Sequence, residues 1–171
     1  MALLAEQIVQ EWLTRQGYFT MRGLKIGVHE IDLLAAKHVG EGKWHHQHVE
    51  VQVSSRPVGY ISGKTAKSRP PEQIKATVES WVQKKFNHPD KEKLRNRLSN
   101  TTDWEFLFIY GVVRSDEEIN LINKLGIKTI SIEHVLDELI NPKESCGFTT
   151  YAGTDILEIM GLWNSFKATS R

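Results

Sequence analysis

The alternation of apolar and polar residues changes its period along the chain. Between residues 44 and 53 the valines at 49, 51 and 53 alternate with polar side chains. This period of two predicts a β-strand with one buried face. Residues 29–35 alternate in the same way, and the segment 37–43 between the two stretches contains two glycines that suit a hairpin. The pattern therefore predicts two antiparallel strands.

Helical periods flank this hairpin. Residues 2–16 repeat apolar positions every three or four residues and stop at Gly17, which predicts an amphipathic helix. Residues 18–26 then supply a strand leading into the hairpin. Pro71 begins a second helix that extends to about residue 86, and a shorter basic helix is predicted over 90–98. The predicted order thus begins with a helix, three strands and a helix.

The second half of the chain predicts a parallel crossover. A short apolar run makes residues 104–113 a buried strand, and Ser115 with Glu118 forms a capping box for a helix ending near residue 125. A strand over 127–132 and a helix over 133–140 follow. Strand, helix and strand joined by short loops predict parallel pairing. A last amphipathic helix is predicted over 155–166, and its apolar stripe either joins the core or forms a dimer contact.

Each strand of the predicted hairpin carries an acidic side chain on its polar face. Asp32 precedes two leucines, Glu50 lies between two valines, and antiparallel pairing would bring the two carboxylates together. Paired carboxylates repel each other unless one takes a proton or a cation lies between them. Hard oxygen ligands completed by water suit Mg²⁺ or Mn²⁺ better than zinc. A lone strand aspartate is more often an ordinary polar residue, so the conjunction of residues favours a metal site.

These motifs resemble a known family. A helix with a glutamate, a glycine, Asp-Leu-Leu-Ala at 32–35 and Val-Glu-Val at 49–51 resemble the PD-(D/E)XK nuclease superfamily, in detail over about residues 4–54. The resemblance implies an α/β protein with a restriction-endonuclease-like αβββαβ core. It also implies a mixed central sheet flanked by helices, as a single domain over 1–171. The metal ligands it implies are Asp32, Glu50, Glu6 and the carbonyl of Val51.

The chain departs from the family pattern at Gln52, where the family usually has lysine. That lysine helps to position or activate the attacking water, whereas glutamine can only orient the water by hydrogen bonds. Some members carry the lysine on the following helix, where Lys75 is the candidate. Gln73 is followed by Thr77 rather than tyrosine, so the motif of RecB-type nucleases is incomplete. The implied catalytic residues are Asp32, Glu50, Gln52 and Lys75.

The net charge of +1 hides a basic region. Residues 56–97 contain eleven Lys or Arg against four Asp or Glu, whereas the remaining residues contain eleven against seventeen. A local surplus of this size attracts phosphate backbones, although a solvated helix face without a partner is the alternative. The predicted nucleic-acid contacts are Arg56, Tyr60, Lys64, Lys67, Arg69, Lys84 and Lys85.

Two other site hypotheses fail on spacing. Gly63 follows Gly59 after only three residues, whereas a P-loop needs four. Strand alternation sends His45 away from His46 and His48, and no cysteine lies near them, so a zinc site of these three histidines is not favoured. His46 and His48 share the face of Glu50, where filling a polar strand face is the preferred interpretation.

The sequence therefore predicts a metal-dependent endonuclease that hydrolyses DNA with Mg²⁺ or Mn²⁺. We expect structure-directed or weakly specific cutting, with RNA left open as a substrate and a homodimer left open as an assembly. The alternative is a degenerate nuclease fold that binds nucleic acid or a protein partner without cleavage. The single cysteine, Cys146, and the absence of an apolar run near ~20 residues predict a cytoplasmic protein without a membrane span.

Overall fold

A computed structural model describes residues 2–53, 70–100, 103–113 and 116–141, together with 155, 158, 159, 161 and 162. In the described residues the elements follow one another in the order helix, three strands, two helices, strand, helix, strand, helix. Their bounds are α1 Ala2–Arg15, β1 Phe19–Ile26, β2 His29–Gly40, β3 Lys43–Gln52, α2 Pro71–Lys85, α3 Pro89–Leu98, β4 Trp104–Tyr110, α4 Asp116–Lys124, β5 Lys128–Ser131 and α5 Ile132–Ile140.

The five strands form one mixed sheet in the order β1-β2-β3-β4-β5. Strands β1, β2 and β3 pair antiparallel, whereas β3–β4 and β4–β5 pair parallel, so β2 alone runs opposite to the others. Helices α2 and α3 connect β3 to β4, and α4 connects β4 to β5. The predicted hairpin and the predicted parallel crossover are both confirmed.

Helices cover both faces of the sheet, and each face has its own apolar core. On one face α1 and α5 pack their buried residues, such as Val9 and Val135, against Leu33 and Val49. On the other face the buried residues of α2 and α4 pack around Phe108. Because both faces of the central strands are covered, β4 is apolar along most of its length rather than alternating.

The β2–β3 hairpin is tighter than predicted. The sequence predicted a loop over 37–43, but β2 continues to Gly40 and only Glu41 and Gly42 form the turn. Both residues have positive φ, 50° and 71°, the backbone conformation that matches a two-residue turn to the twist of its strands. The predicted strand over 104–113 likewise ends earlier, at Tyr110.

Some predicted features lie outside the described residues. These include Ser115 of the predicted capping box and most of the predicted helix over 155–166, where the residues that are described are helical. Among the helices of the described ranges, none is long and apolar enough to cross a membrane.

Candidate functional site

Asp32 and Glu50 face each other across the β2–β3 pair. Leu33 pairs with Val49 in the antiparallel register, so the next residues outward, Asp32 and Glu50, are directly opposite. The backbone N–H of Val51 donates a hydrogen bond of 2.8 Å to Asp32 Oδ2. Glu50 also pairs with Phe108 on the parallel side, which puts both carboxylates on the face covered by α2 and α4, where Lys91 of α3 also binds Glu50. This juxtaposition agrees with the one expected from strand alternation.

The Glu50 carboxylate is fully buried and both of its oxygens are bound. Oε1 accepts from Lys91 Nζ at 2.6 Å and lies 3.0 Å from His48 Nε2, and Oε2 accepts from Lys85 Nζ at 2.8 Å. Burial by itself would raise the pKa of Glu50. The His48 hydrogen bond and the two ammonium charges outweigh burial and lower that pKa to about 2. Glu50 is therefore an anion at neutral pH.

His48 connects Glu50 to α3. Arg95 Nη1 donates to His48 Nδ1 at 2.9 Å and to the Phe86 carbonyl at 2.8 Å. Because Nδ1 accepts from arginine, the ring proton belongs on Nε2, which donates to Glu50. Burial lowers the pKa of His48 to about 4, against the effect of Glu50, so the ring is neutral at pH 7. The result is a buried network of Arg95, His48, Glu50 and Lys91 that ties α3 to β3.

Asp32 has the opposite electrostatic balance. Burial and then the charge of Glu50 raise its pKa to about 7, while Lys85 and the Val51 hydrogen bond only partly compensate. Burial would lower the pKa of Lys85, but the charges of Glu50 and Asp32 raise it. The ammonium of Lys85 is thus the cation that the two carboxylates share.

Further carboxylates lie beside Asp32. Burial, followed by the charge of Glu30 and a smaller effect of Glu50, raises the pKa of Glu6 on α1. Gly23 of β1 lies between residues that pair with Leu33 and Ile31, so it faces Asp32. It has a positive φ of 65°, and a Cβ placed there would lie 3.8 Å from Glu30 Oε1. That distance is an ordinary contact, so the positive φ is what favours glycine at this position.

The structure places the two predicted lysines of α2 at different distances from Glu50. Lys75, the predicted catalytic lysine, is exposed near the start of α2, and Lys85, predicted to contact nucleic acid, is bound to Glu50. The two residues are about 15 Å apart along the helix axis, because each residue rises 1.5 Å. The physical reason is that α2 meets the carboxylates with its C-terminal end. Only a lysine in its last turn reaches Glu50.

Other predicted residues are placed as follows. Gln52 is exposed at the end of β3, and its backbone carbonyl accepts from the Gly111 N–H at 3.2 Å. Lys84 is exposed beside Lys85. The remaining predicted nucleic-acid contacts, Arg56, Tyr60, Lys64, Lys67 and Arg69, lie outside the described residues.

The acidic residues fit a hard divalent cation in their chemistry. Carboxylate oxygens are its preferred ligands, and a cation would relieve the repulsion that raises the pKa of Asp32. As the side chains stand, Lys85 and Lys91 hold the oxygens of Glu50. The Lys91 side chain is 3% exposed and that of Lys85 is 31% exposed, so Lys85 is the partner that a cation would displace.

Lys91 and Arg95 were not predicted from the sequence as partners of the strand residues. A signal was present in α3, whose only apolar side chains beyond Pro89 are Leu94 and Leu98. A helix this polar can pack on a sheet only if charged residues enter the interface. Lys91 and Arg95 are four apart and therefore lie on one face of the helix.

The fold and these charges define an α/β protein with a five-strand mixed sheet flanked by helices and a cluster of carboxylates and lysines on one face. A scan against protein-family models and a search of curated proteins both find no match. A search of solved structures finds a protein of unknown function, AF1548, with 15% identity and a TM-score of 0.49. The match covers 81% of this chain and 66% of that one, so this chain spans slightly less than two thirds of its length.

Proposed function

We propose that the protein is a metal-dependent endonuclease that hydrolyses DNA phosphodiester bonds on a restriction-endonuclease-like core. The observation that carries the proposal is the pairing of Asp32 with Glu50 across β2 and β3, with the Lys85 ammonium bound to Glu50. The topology supports it, because a helix and three antiparallel strands are followed by a helical crossover to a parallel strand. This is the element order expected of the αβββαβ core.

In this proposal Asp32, Glu50, Glu6 and the carbonyl of Val51 hold Mg²⁺ or Mn²⁺. When bound, the ion polarises the scissile phosphate and lowers the pKa of an attacking water. Lys85, released from Glu50, offsets the negative charge that develops on the phosphate. His48 and Lys91 keep the Glu50 carboxylate in its orientation throughout.

The lysine that matters in this site is therefore Lys85 rather than Lys75. Gln52, exposed beyond Glu50 on the same strand face, orients the water by hydrogen bonds. Lys84 and the other basic residues of 56–97 hold the phosphate backbone, which gives affinity without base readout. We therefore propose structure-directed or weakly sequence-specific cutting of DNA.

One observation favours a second candidate, a degenerate nuclease fold that binds nucleic acid without cutting it. Lys85 and Lys91 satisfy both oxygens of Glu50, so this carboxylate needs no metal ion to be buried. If Glu50 kept both lysine partners in the presence of Mg²⁺, it could not serve as a metal ligand. The two candidates differ in whether Lys85 leaves Glu50 when metal and DNA bind.

Cleavage of plasmid and branched DNA with Mg²⁺ or Mn²⁺ tests the proposal. Asp32→Asn keeps an acceptor for the Val51 N–H but removes the charge, and we expect it to lower the rate at least about 100-fold. Lys85→Met is expected to lower the cleavage rate about 100-fold or more, because it removes a cation from the reaction centre. Lys75→Met is the matched control on the same helix and should cut like the unmodified protein.

The competing outcomes are distinct. Salt-sensitive DNA binding with no metal-dependent cleavage would establish the degenerate candidate. Cleavage that survives Asp32→Asn would overturn the proposed site, because the activity would then come from other residues or from a contaminant. Equal losses of cleavage rate in Lys75→Met and Lys85→Met would show that α2 acts through its overall positive charge rather than through the contact of Lys85 with Glu50.

A further inference from the structure

A second group of metal-ligating side chains lies outside the carboxylate cluster. It consists of His29 at the start of β2, His88 at the N-cap of α3 and Asp90 in the first turn of α3. Each offers one ligand atom, and the three atoms lie within 4.8 Å of one another. His29 Nε2 is 3.9 Å and His88 Nδ1 is 3.7 Å from Asp90 Oδ2. The three residues form what we call the His–His–Asp group.

Local backbone geometry holds two of these residues in place. His88 has extended φ and ψ of −64° and 132°, and Pro89 follows at the first helical position. Proline fixes φ near the helical value, so the step from His88 into α3 is pre-organised. Packing of α3 beside the start of β2 then brings in His29, whose ring centroid lies 3.7 Å from that of His88. The group is thus assembled from two separate elements.

The donor set identifies the class of ion. Two imidazole nitrogens with one carboxylate are typical of Zn²⁺ and similar transition metals, whereas Mg²⁺ prefers oxygen ligands alone. Ligand bonds of about 2.0–2.2 Å around a tetrahedral ion place the donor atoms about 3.3–3.6 Å apart. The separations of 3.7 Å and 3.9 Å from Asp90 therefore need to close by at most about 0.6 Å, and the separation of the two imidazole nitrogens, which is within 4.8 Å, by at most about 1.5 Å.

Competing contacts at the group are weak. His88 Nδ1 accepts a hydrogen bond from the Asp90 N–H at 3.3 Å, just beyond the usual limit of about 3.2 Å. The charged neighbour in the described ranges is Lys93, whose Nζ lies 3.9 Å from Asp90 Oδ1 on an exposed side chain. All three residues of the group are half-buried, so an ion would be partly shielded and still reachable from solvent.

We propose that His29, His88 and Asp90 form a site for Zn²⁺ or a similar transition-metal ion, with a fourth position open to water. The site is separate from the carboxylate cluster and stands whether or not the protein is a nuclease. The site is also connected to that cluster along the chain, because His88 lies in sequence between Lys85 and Lys91, the two lysines that bind Glu50. An ion bound here braces the α2–α3 turn against β2, three residues before Asp32.

Titration of the metal-free protein with Zn²⁺, followed by competition with a chromophoric chelator, tests the site. We expect one ion per chain with a Kd at or below about 10 µM. His88→Asn keeps a side-chain cap for α3 and His29→Gln keeps a polar side chain, and each should weaken binding at least about 10-fold. His134→Gln is the matched control, because His134 Nε2 also lies 3.3 Å from a carboxylate, Glu138 Oε1, but belongs to no such group of three within the described ranges.

A second measurement does not depend on the variants. In the unmodified protein, Zn²⁺ should shift the imidazole NMR signals of His29 and His88 and leave those of His134 unchanged. Zn²⁺ binding should also survive Asp32→Asn, which separates this site from the proposed nuclease site. Absence of binding at about 100 µM Zn²⁺, or full binding by the folded His29→Gln/His88→Asn double variant, would overturn the proposal.

Discussion

Carboxylates ionise in opposite ways in two neighbouring regions around the β2–β3 pair. In the buried network of Arg95, His48, Glu50 and Lys91, every charged group has a partner within hydrogen-bond distance, and the pKa of Glu50 falls to about 2. In the adjoining acidic edge, which we define as Glu6, Glu30 and Asp32, carboxylates gather around the shared Lys85. There burial and Glu50 raise the pKa of Asp32 to about 7.

The difference teaches that burial does not by itself decide how a carboxylate ionises. Asp32 and Glu50 are directly opposed residues on adjacent strands, and burial acts in the same direction on both pKa values. The His48 hydrogen bond, followed by the charges of Lys85 and Lys91, reverses that effect at Glu50. Lys85 and the Val51 hydrogen bond leave Asp32 under-compensated. Removing one member of the network would therefore leave a buried charge under-compensated, whereas added positive charge near the acidic edge would favour the ionised form of Asp32.

The largest expected effect comes from breaking the network at Lys91. Lys91→Met leaves the fully buried Glu50 with fewer cations, and loss of one partner of a buried ion pair costs about 3–5 kcal/mol. We expect a fall of that size in the free energy of unfolding, measured by urea denaturation. Lys93→Met on the exposed side of α3 is the control and should change stability by less than about 0.5 kcal/mol. Equal stability of the two variants would show that Glu50 does not depend on α3.

Neutralising a carboxylate of the acidic edge should raise the free energy of unfolding rather than lower it. The pKa of Asp32 is raised from 3.8 to about 7, so the folded protein binds this proton more tightly than the unfolded chain. The stabilising contribution of this proton is complete below about pH 3.8 and is lost as the pH rises through 7. Asp32→Asn removes the cost of this half-buried charge, and because solvent screens part of that cost the change should stabilise the protein by about 2–3 kcal/mol at pH 8.

Urea unfolding at several pH values measures this effect. The advantage of Asp32→Asn over the unmodified protein should grow between pH 4 and pH 7 and vanish at the acidic end. A destabilised variant at pH 8 would mean that Lys85 fully neutralises Asp32 and that the two regions do not differ as described. Saturating Mg²⁺ should reduce the difference, because a bound cation favours the carboxylate over the amide.

A smaller effect tests whether Glu6 belongs to the acidic edge. Glu6 contributes to the raised pKa of Asp32, after burial and Glu50. Glu6→Gln removes one negative charge and should lower the pKa of Asp32, as followed by carboxyl ¹³C NMR. Glu72→Gln, an exposed change at the start of α2, is the control and should leave that pKa in place. An unchanged pKa of Asp32 in Glu6→Gln would show that Glu6 does not belong to the acidic edge.

Much of the site could be predicted from local patterns. Alternation over 29–35 and 44–53 predicted that Asp32 and Glu50 share a face, and the register of β2 and β3 agrees. The choice between Lys75 and Lys85 could not be made in this way. Both are polar positions of one amphipathic helix, and the helical period does not say which turn approaches the sheet.

The sequence by itself determined the order and type of the elements and the side of each strand on which its acidic residues lie. These properties follow from backbone geometry within a few residues. Only the tertiary structure decided which cations meet which carboxylates, and hence why the pKa of Glu50 falls while that of Asp32 rises. Those shifts depend on burial and on charges brought from α2 and α3, whose distances to the strands are set by packing across the whole chain.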